Sequence, residues 1–135
     1  MGKFKNLQDD VYSIFGSNAW KAENIKTFPA NFTSTNQGNE FIRISVVAGN
    51  SSVNLQSVSG LLIIDIFTSA GDGSARTALI ADKLDQYLVG KSIKTVEGTL
   101  TQFLSSTLQP RGNDAVNPAL YRSVYSIPFN YYGVM

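Results

Sequence analysis

The 135-residue sequence contains neither cysteine nor histidine. Without cysteine there can be no disulfide, no zinc–thiolate site and no thiol nucleophile, and cysteine usage says nothing of the redox compartment. Without histidine the commonest general base and the commonest transition-metal ligand are gone. Enzyme chemistry would have to rest on carboxylates, Lys, Ser or Tyr, and the sequence shows no clustered set of them. Charge is sparse as well: 16% of residues are charged, and 11 basic against 10 acidic residues leave a net charge of +1. Neither sign forms a run that would neutralise a row of phosphates or hold an acidic membrane. Wholly apolar runs stop at four residues, as in Leu61–Ile64, against the roughly 20 that a membrane span needs. The opening Met1-Gly2-Lys3-Phe4-Lys5-Asn6 lacks the apolar core of a secretory signal, and Asn6 stands where a myristoylation motif wants Ser or Thr. These absences lead us to expect a soluble, non-enzymatic protein without cofactors, made in the cytoplasm and making no contact with membranes.

What is present is a chain with 43% hydrophobic residues, enough for one core and one domain over 1–135. Phe4, Leu7, Val11, Ile14 and Phe15 recur at spacings of three and four, which predicts an amphipathic helix over 3–15. Residues 17–39 read as a long surface arm with a short extended piece at 25–28. Ile42, Ile44 and Val46 alternate with Phe41, Arg43 and Ser45, the period of a strand over 41–47. Leu61-Leu62-Ile63-Ile64-Asp65-Ile66-Phe67 is apolar on both faces, so the strand over 60–67 should be central and covered on both sides. Ala81, Leu84 and Leu88 set the register of a principal helix over 75–89, closed by Gly90. A short piece at 92–96, a Ser/Thr/Gln-rich strand over 100–108 and an aromatic strand over 120–131 follow. Pro128 lacks an N–H, which predicts an edge or a bulge in that last strand. The order gives an α+β fold: an antiparallel or mixed sheet of about four to five strands, the long helix packed on one face, and an N-terminal helix. The second face of the central strand needs cover from that first helix or from a neighbouring subunit.

Few residues suggest a site. Gly71-Asp72-Gly73-Ser74 between strand and helix superficially resembles a phosphate-binding turn, but it lacks the glycine spacing and the following Lys of a phosphate loop. Its simpler reading is a capped strand-to-helix turn. Asp82 and Asp85, three apart on the helix, read as solvated charges opposite Leu84 and Leu88. Asp65 in a central strand should be ion-paired, with Arg43 or Arg76 as partner. The sequons at Asn31 and Asn50 carry little information without a secretory signal. The aromatic stripe of the last strand reads as core, since base-stacking platforms carry interleaved Lys and Arg. Two charge-free stretches, 44–64 and 98–110, stand out. An uncharged strand edge at 100–108 meets either a partner or another strand of its own subunit, because exposed edges usually carry charged residues that block pairing.

Ser59-Gly60-Leu-Leu-Ile-Ile-Asp-Ile-Phe67, the glycine turn at 71–73, Ala78-Leu-Ile-Ala-Asp-Lys-Leu-Asp-Gln-Tyr-Leu-Val-Gly90 and Tyr121-Arg-Ser-Val-Tyr-Ser-Ile-Pro-Phe-Asn-Tyr-Tyr132 resemble the tail terminator proteins of lambda-like long-tailed bacteriophages. The resemblance covers most of the chain, in order of elements. It implies a virion structural protein at the tail–neck junction: a homo-oligomeric ring, expected to be a hexamer, that caps the tail tube, stops its polymerisation and presents a docking face to the head connector. DNA would only pass through the central channel. Such a family has no catalytic, cofactor or metal residues to carry over. The interface candidates therefore come from surface chemistry alone: Arg43, Asn50, Asn54, Gln56, Arg76, Thr101, Phe103, Ser105, Thr107 and Arg111, in the 17–39 arm, the 48–59 loop, the 100–108 strand and their surroundings. The alternatives are a neck or tail-to-head joining protein and, in a different class, a monomeric module binding a small anion at Gly71–Ser74.

Overall fold

A computed structural model describes residues 3–29, 40–51, 57–69, 71, 73–95, 98–113 and 120–133. Helix α1 spans Lys3–Phe15, and a single turn α2 spans Asn18–Lys21. The strands are β1 (Lys26–Pro29), β2 (Phe41–Ser51) and β3 (Val58–Ser69), followed after helix α3 (Gly73–Leu88) by β4 (Ser92–Lys94), β5 (Leu100–Phe103), β6 (Thr107–Asn113) and β7 (Leu120–Tyr132). They form one sheet in the order β1-β2-β3-β7-β5-β4, with β6 also paired to β7. Only β1–β2 is parallel; the other pairs are antiparallel. The expected α+β class holds. The sheet has seven strands rather than four or five, because β1 adds an edge and the expected 100–108 strand is two strands.

The main core lies on one face. Leu62, Ile64 and Ile66 of β3, Ile42 and Ile44 of β2, and Tyr125, Ile127 and Phe129 of β7 meet Leu7 and Val11 of α1 and Ile80, Leu84 and Leu88 of α3 in one buried cluster. Each such aliphatic side chain withdrawn from water contributes about 1.5–3 kcal/mol. Both long helices pack on this face, so α1 does not cover the second face of β3 as one expectation had it. Trp20 closes the cluster at its α2 end, edge-on to Phe15 and Tyr87 at centroid distances of 5.2 Å, with its indole N–H donating to Thr27 Oγ1 at 2.9 Å.

Local chemistry ends the elements. Gly90 takes a φ of +71°, which the turn after α3 requires and a side chain resists. The hydroxyl oxygen of Ser17 accepts from the Trp20 N–H and caps α2. In β2 the register shifts between Ala48 and Ser51, and Gly49 there passes so close to β3 that an added Cβ would lie 2.8 Å from the Ser59 carbonyl oxygen.

Strand β7 is interior, not an edge. It pairs with β3 from Leu120 to Tyr131 and, on its other side, with β5 and then β6 laid end to end. The Pro128 carbonyl accepts from the Leu104 N–H at 3.0 Å, so the backbone there points to the gap between β5 and β6. In that gap no ladder acceptor needs a proline N–H, which is why an interior strand tolerates the residue.

Candidate assembly surfaces

The face of the sheet turned away from the helices is organised in four rows by the strand register. At one end Phe41, Phe67 and Arg122 lie side by side on β2, β3 and β7. Phe41 and Phe67 stack at 4.7 Å, and Leu120 and Phe28 join them in a second apolar cluster. The next row is Arg43, Asp65 and Val124, with Gln109 of β6 beyond. Then come Ser45, Ile63, Ser126 and Thr107, in which the Thr107 and Ser126 hydroxyls are 2.8 Å apart. The last row is Val47, Leu61 and Pro128, beside Leu104. Val47, Leu61 and Leu104 are 47%, 40% and 42% exposed. Neither helix touches this end, so an apolar row stands open to water.

Asp65 is ion-paired, but with neither expected partner. Arg122 reaches across from β7 to Asp65 Oδ1 at 2.8 Å, while Arg76 forms a bidentate pair with Glu40. Arg43 lies directly opposite Asp65 in the register, yet its guanidinium turns over the Phe41 and Phe67 rings, 5.8 and 5.4 Å from their centroids. Among the described residues no carboxylate lies within 4 Å of it. The pairing with Arg76 holds the Glu40 carboxyl below its usual range, chiefly through the side-chain hydrogen bond.

The helix layer carries the opposite surface. Leu79 and Val89 are 46% and 37% exposed, with Asp82 and Gln86 exposed between them. Asp85, expected to be solvated like Asp82, instead faces inward: it accepts from the Tyr125 hydroxyl at 2.7 Å and from Ser106 Oγ at 2.6 Å. Burial, and next the bond to Asp85, push the Tyr125 phenol up. Asp10 is buried on α1 and accepts from Thr101 Oγ1 at 2.6 Å; burial outweighs that bond and raises its pKa. The Lys83–Glu23 pair at 2.9 Å and the Tyr87 hydroxyl, 2.9 Å from the same Glu23, tie α3 to the turn after α2.

The interface candidates divide accordingly. Thr101 and Phe103 are buried at 0% and 1%; they face their own helices because β5 alternates and β4 occupies its other edge, so the candidate set loses them. Ser105 and Thr107 are exposed, and β6, whose far edge is unpaired among the described residues, carries Thr107. Arg111 is exposed and donates to Gln109 Oε1 at 3.0 Å. Asn50 lies on β2, and Asn54 and Gln56 fall outside the described residues, as do residues 30–39 of the arm. Asp72 of the glycine turn is outside them too, and Arg76, in the first turns of α3 after it, is engaged by Glu40. What sequence reasoning missed is the row Val47, Leu61 and Leu104. Its signal was there in the apolar residues on both faces of β3.

No three Asp or Glu side chains converge among the described residues, and no described helix is long and apolar enough to cross a membrane. An open apolar groove runs between the end of α1 and β1, lined by Tyr12, Phe15, Thr27, Phe28 and Pro29.

No protein-family model matches the sequence, and no curated protein matches it. Solved structures do match. One superposes with a TM-score of 0.69 at 16% identity, over 95% of this chain and 97% of its own. Another, from the virion of a native gene transfer agent particle, superposes with a TM-score of 0.62 at 17% identity, over 94% of this chain and 95% of its own. At these identities the likeness is one of fold, and it extends over nearly the whole chain in both cases.

Proposed function

We propose that this chain is a structural subunit of a phage-type virion, acting at the tail–neck junction as a ring that caps the tail tube. The observation that carries the reading is the fold shared end to end with a chain of the gene transfer agent virion. A second feature supports it: a sheet with helices on one face only and an apolar row open on the other is incomplete as a monomer surface. Contacts of the head-to-tail kind, repeated around an axis, close such subunits into a ring. One side of the ring would meet the last ring of tube protein and the other the head connector, and DNA would pass through the centre without being read. Enzyme chemistry has no part in this role.

The test is solution mass by light scattering on a size-exclusion column, alone and with purified tail-tube protein. A ring of about six subunits that shortens or stops growing tubes is the expected result. A ring that binds connector but leaves tube length unchanged would make this a tail-to-head joining protein instead. A chain that stays single at high concentration with both partners would remove the assembly role. A midpoint raised by phosphate alone would then favour the anion-binding alternative.

A further inference from the structure

Among the described residues one carboxylate, Asp82, has neither a salt bridge nor a side-chain hydrogen bond, and one guanidinium, that of Arg43, has neither a carboxylate nor an amide partner; they lie on opposite faces of the molecule. Asp9, Glu23, Glu40 and Asp65 each form a salt bridge, and Asp10 and Asp85 each accept a hydroxyl. Asp82, exposed on α3, does neither. Of the arginines, Arg76 and Arg122 hold carboxylates and Arg111 holds Gln109, while Arg43 lies only over aromatic rings.

The surroundings of these two residues match in order. Along α3 the exposed stripe reads Leu79, Asp82, Gln86, Val89, at about −4.5, 0, +6 and +10.5 Å from Asp82 with a rise of 1.5 Å per residue. Along the bare face the rows read Phe41/Phe67, Arg43, Ser45/Ser126, Val47/Leu61, at about −7, 0, +7 and +14 Å from Arg43, two strand residues per row. Acid meets base, amide meets hydroxyls, and valine meets the open apolar row, while the Phe41 and Phe67 rings of the first row are buried in their own subunit and serve as the bed that carries Arg43.

We infer that in the assembled ring the outer stripe of α3 of one copy docks on the bare sheet face of the next copy, with Asp82 bonded to Arg43. The occupant is a second copy of this chain, chosen by this complementarity of charge and of order. Helix of one copy on sheet of the next gives the bare face the helical cover that its other face already has. The contact is head-to-tail, so each subunit uses one copy of each surface and the chain of contacts must close. Taking Arg43 over its aromatic bed into the interface leaves the charge paired when it is desolvated, which a buried guanidinium requires. This inference rests on the ring reading and says which surfaces make the ring.

The charge-reversal variants R43D and D82R test it, each purified alone and then mixed in equal amounts. Alone, each is expected to shift from ring mass to the 14.7 kDa single chain, because each ring contact would set like charges together. Mixed, they are expected to return to ring mass in strict alternation, since every contact then joins an acid to a base again. Near-ultraviolet circular dichroism of the single variants, unchanged from wild type, shows that folding is intact. Rings that form from R43D alone overturn this contact and leave the ring reading standing. Single variants that dissociate but do not re-form rings on mixing also overturn it, as the two residues then act at different contacts. A wild-type chain that never forms rings, even on tube protein, overturns both readings.

Discussion

Tyr125 of β7 and Asp85 of α3 are joined by a 2.7 Å hydrogen bond through the packed layer between sheet and helix, and Ser106 donates to the same carboxylate oxygen. The phenol is buried and the carboxylate half-buried. The bond fixes the position of α3 over the sheet's centre, and with it the orientation of the helix's exposed stripe.

Replacing Asp85 with Ala should therefore destabilise the fold by about 1–3 kcal/mol, the cost of leaving a buried hydroxyl without its acceptor. Tyr125→Phe, which removes the donor instead, should cost less. Urea unfolding followed by the fluorescence of Trp20, the single tryptophan, measures both; equal and negligible effects would show that the bond does not hold the helix.

Glu40 gives a pH-dependent prediction. Its carboxyl is held low by Arg76, so the stabilisation is present above the ordinary value of 4.5 and lost as pH falls through the lower folded value. Glu40→Gln should lower the thermal midpoint at pH 7, by an amount worth about 0–1 kcal/mol because the pair is a third exposed. The difference should shrink as the pH is taken below 4. A difference that persists unchanged in acid would assign it to packing.

Asp10 behaves in the opposite sense. Burial raises its pKa above the ordinary 3.8, so its favourable contribution is complete below that value and is lost as pH rises through the folded value. Asp10→Asn, which keeps an acceptor for Thr101, should gain in midpoint relative to wild type as the pH goes from 4 to 8. Parallel midpoint curves for the two proteins would rule this out.

Gly49→Ala should destabilise by about 1–3 kcal/mol, because a Cβ there is 2.8 Å from a backbone oxygen of β3 and the strands must part to admit it. Gly71→Ala, where an added Cβ meets nothing within 4 Å, is the control and should change the denaturation midpoint little.

The elements with strong periodicity were legible. The helix over 3–15 has the expected bounds, and α3 differs from the expected 75–89 by two residues at its start and one at its end. Strand β3 and its central place followed from apolar residues on both faces. What failed was non-local. The break at 104–106 follows from the sharing of β7 between two partners, and no local pattern in Leu100–Leu108 records it. Pro128 predicts an edge or a bulge, and β7 has neither there; the sequence does not show that a gap would lie opposite the residue. Asp65 is paired as expected, but the partner is Arg122 of β7, brought beside it by a strand pairing 57 residues away in sequence that no local pattern records. Of the interface candidates, Thr101 and Phe103 are buried within their own subunit, which the sequence does not reveal because an uncharged strand reads alike whether its partner is its own sheet or another chain.

The place of β7 in the sheet has a consequence for biosynthesis. It is the last of the described strands in chain order, yet β3, β5 and β6 all pair with it, and the register joining Leu62 to Ile127 spans 65 residues of sequence. Until β7 leaves the ribosome, β3 has one unsatisfied side and β5 has no neighbour but β4. Such long-range pairing sets a slow, late folding step. A subunit that has not completed that step has neither a complete bare face nor an α3 held in place on the opposite face by Tyr125, so synthesis itself delays association until β7 is in the sheet.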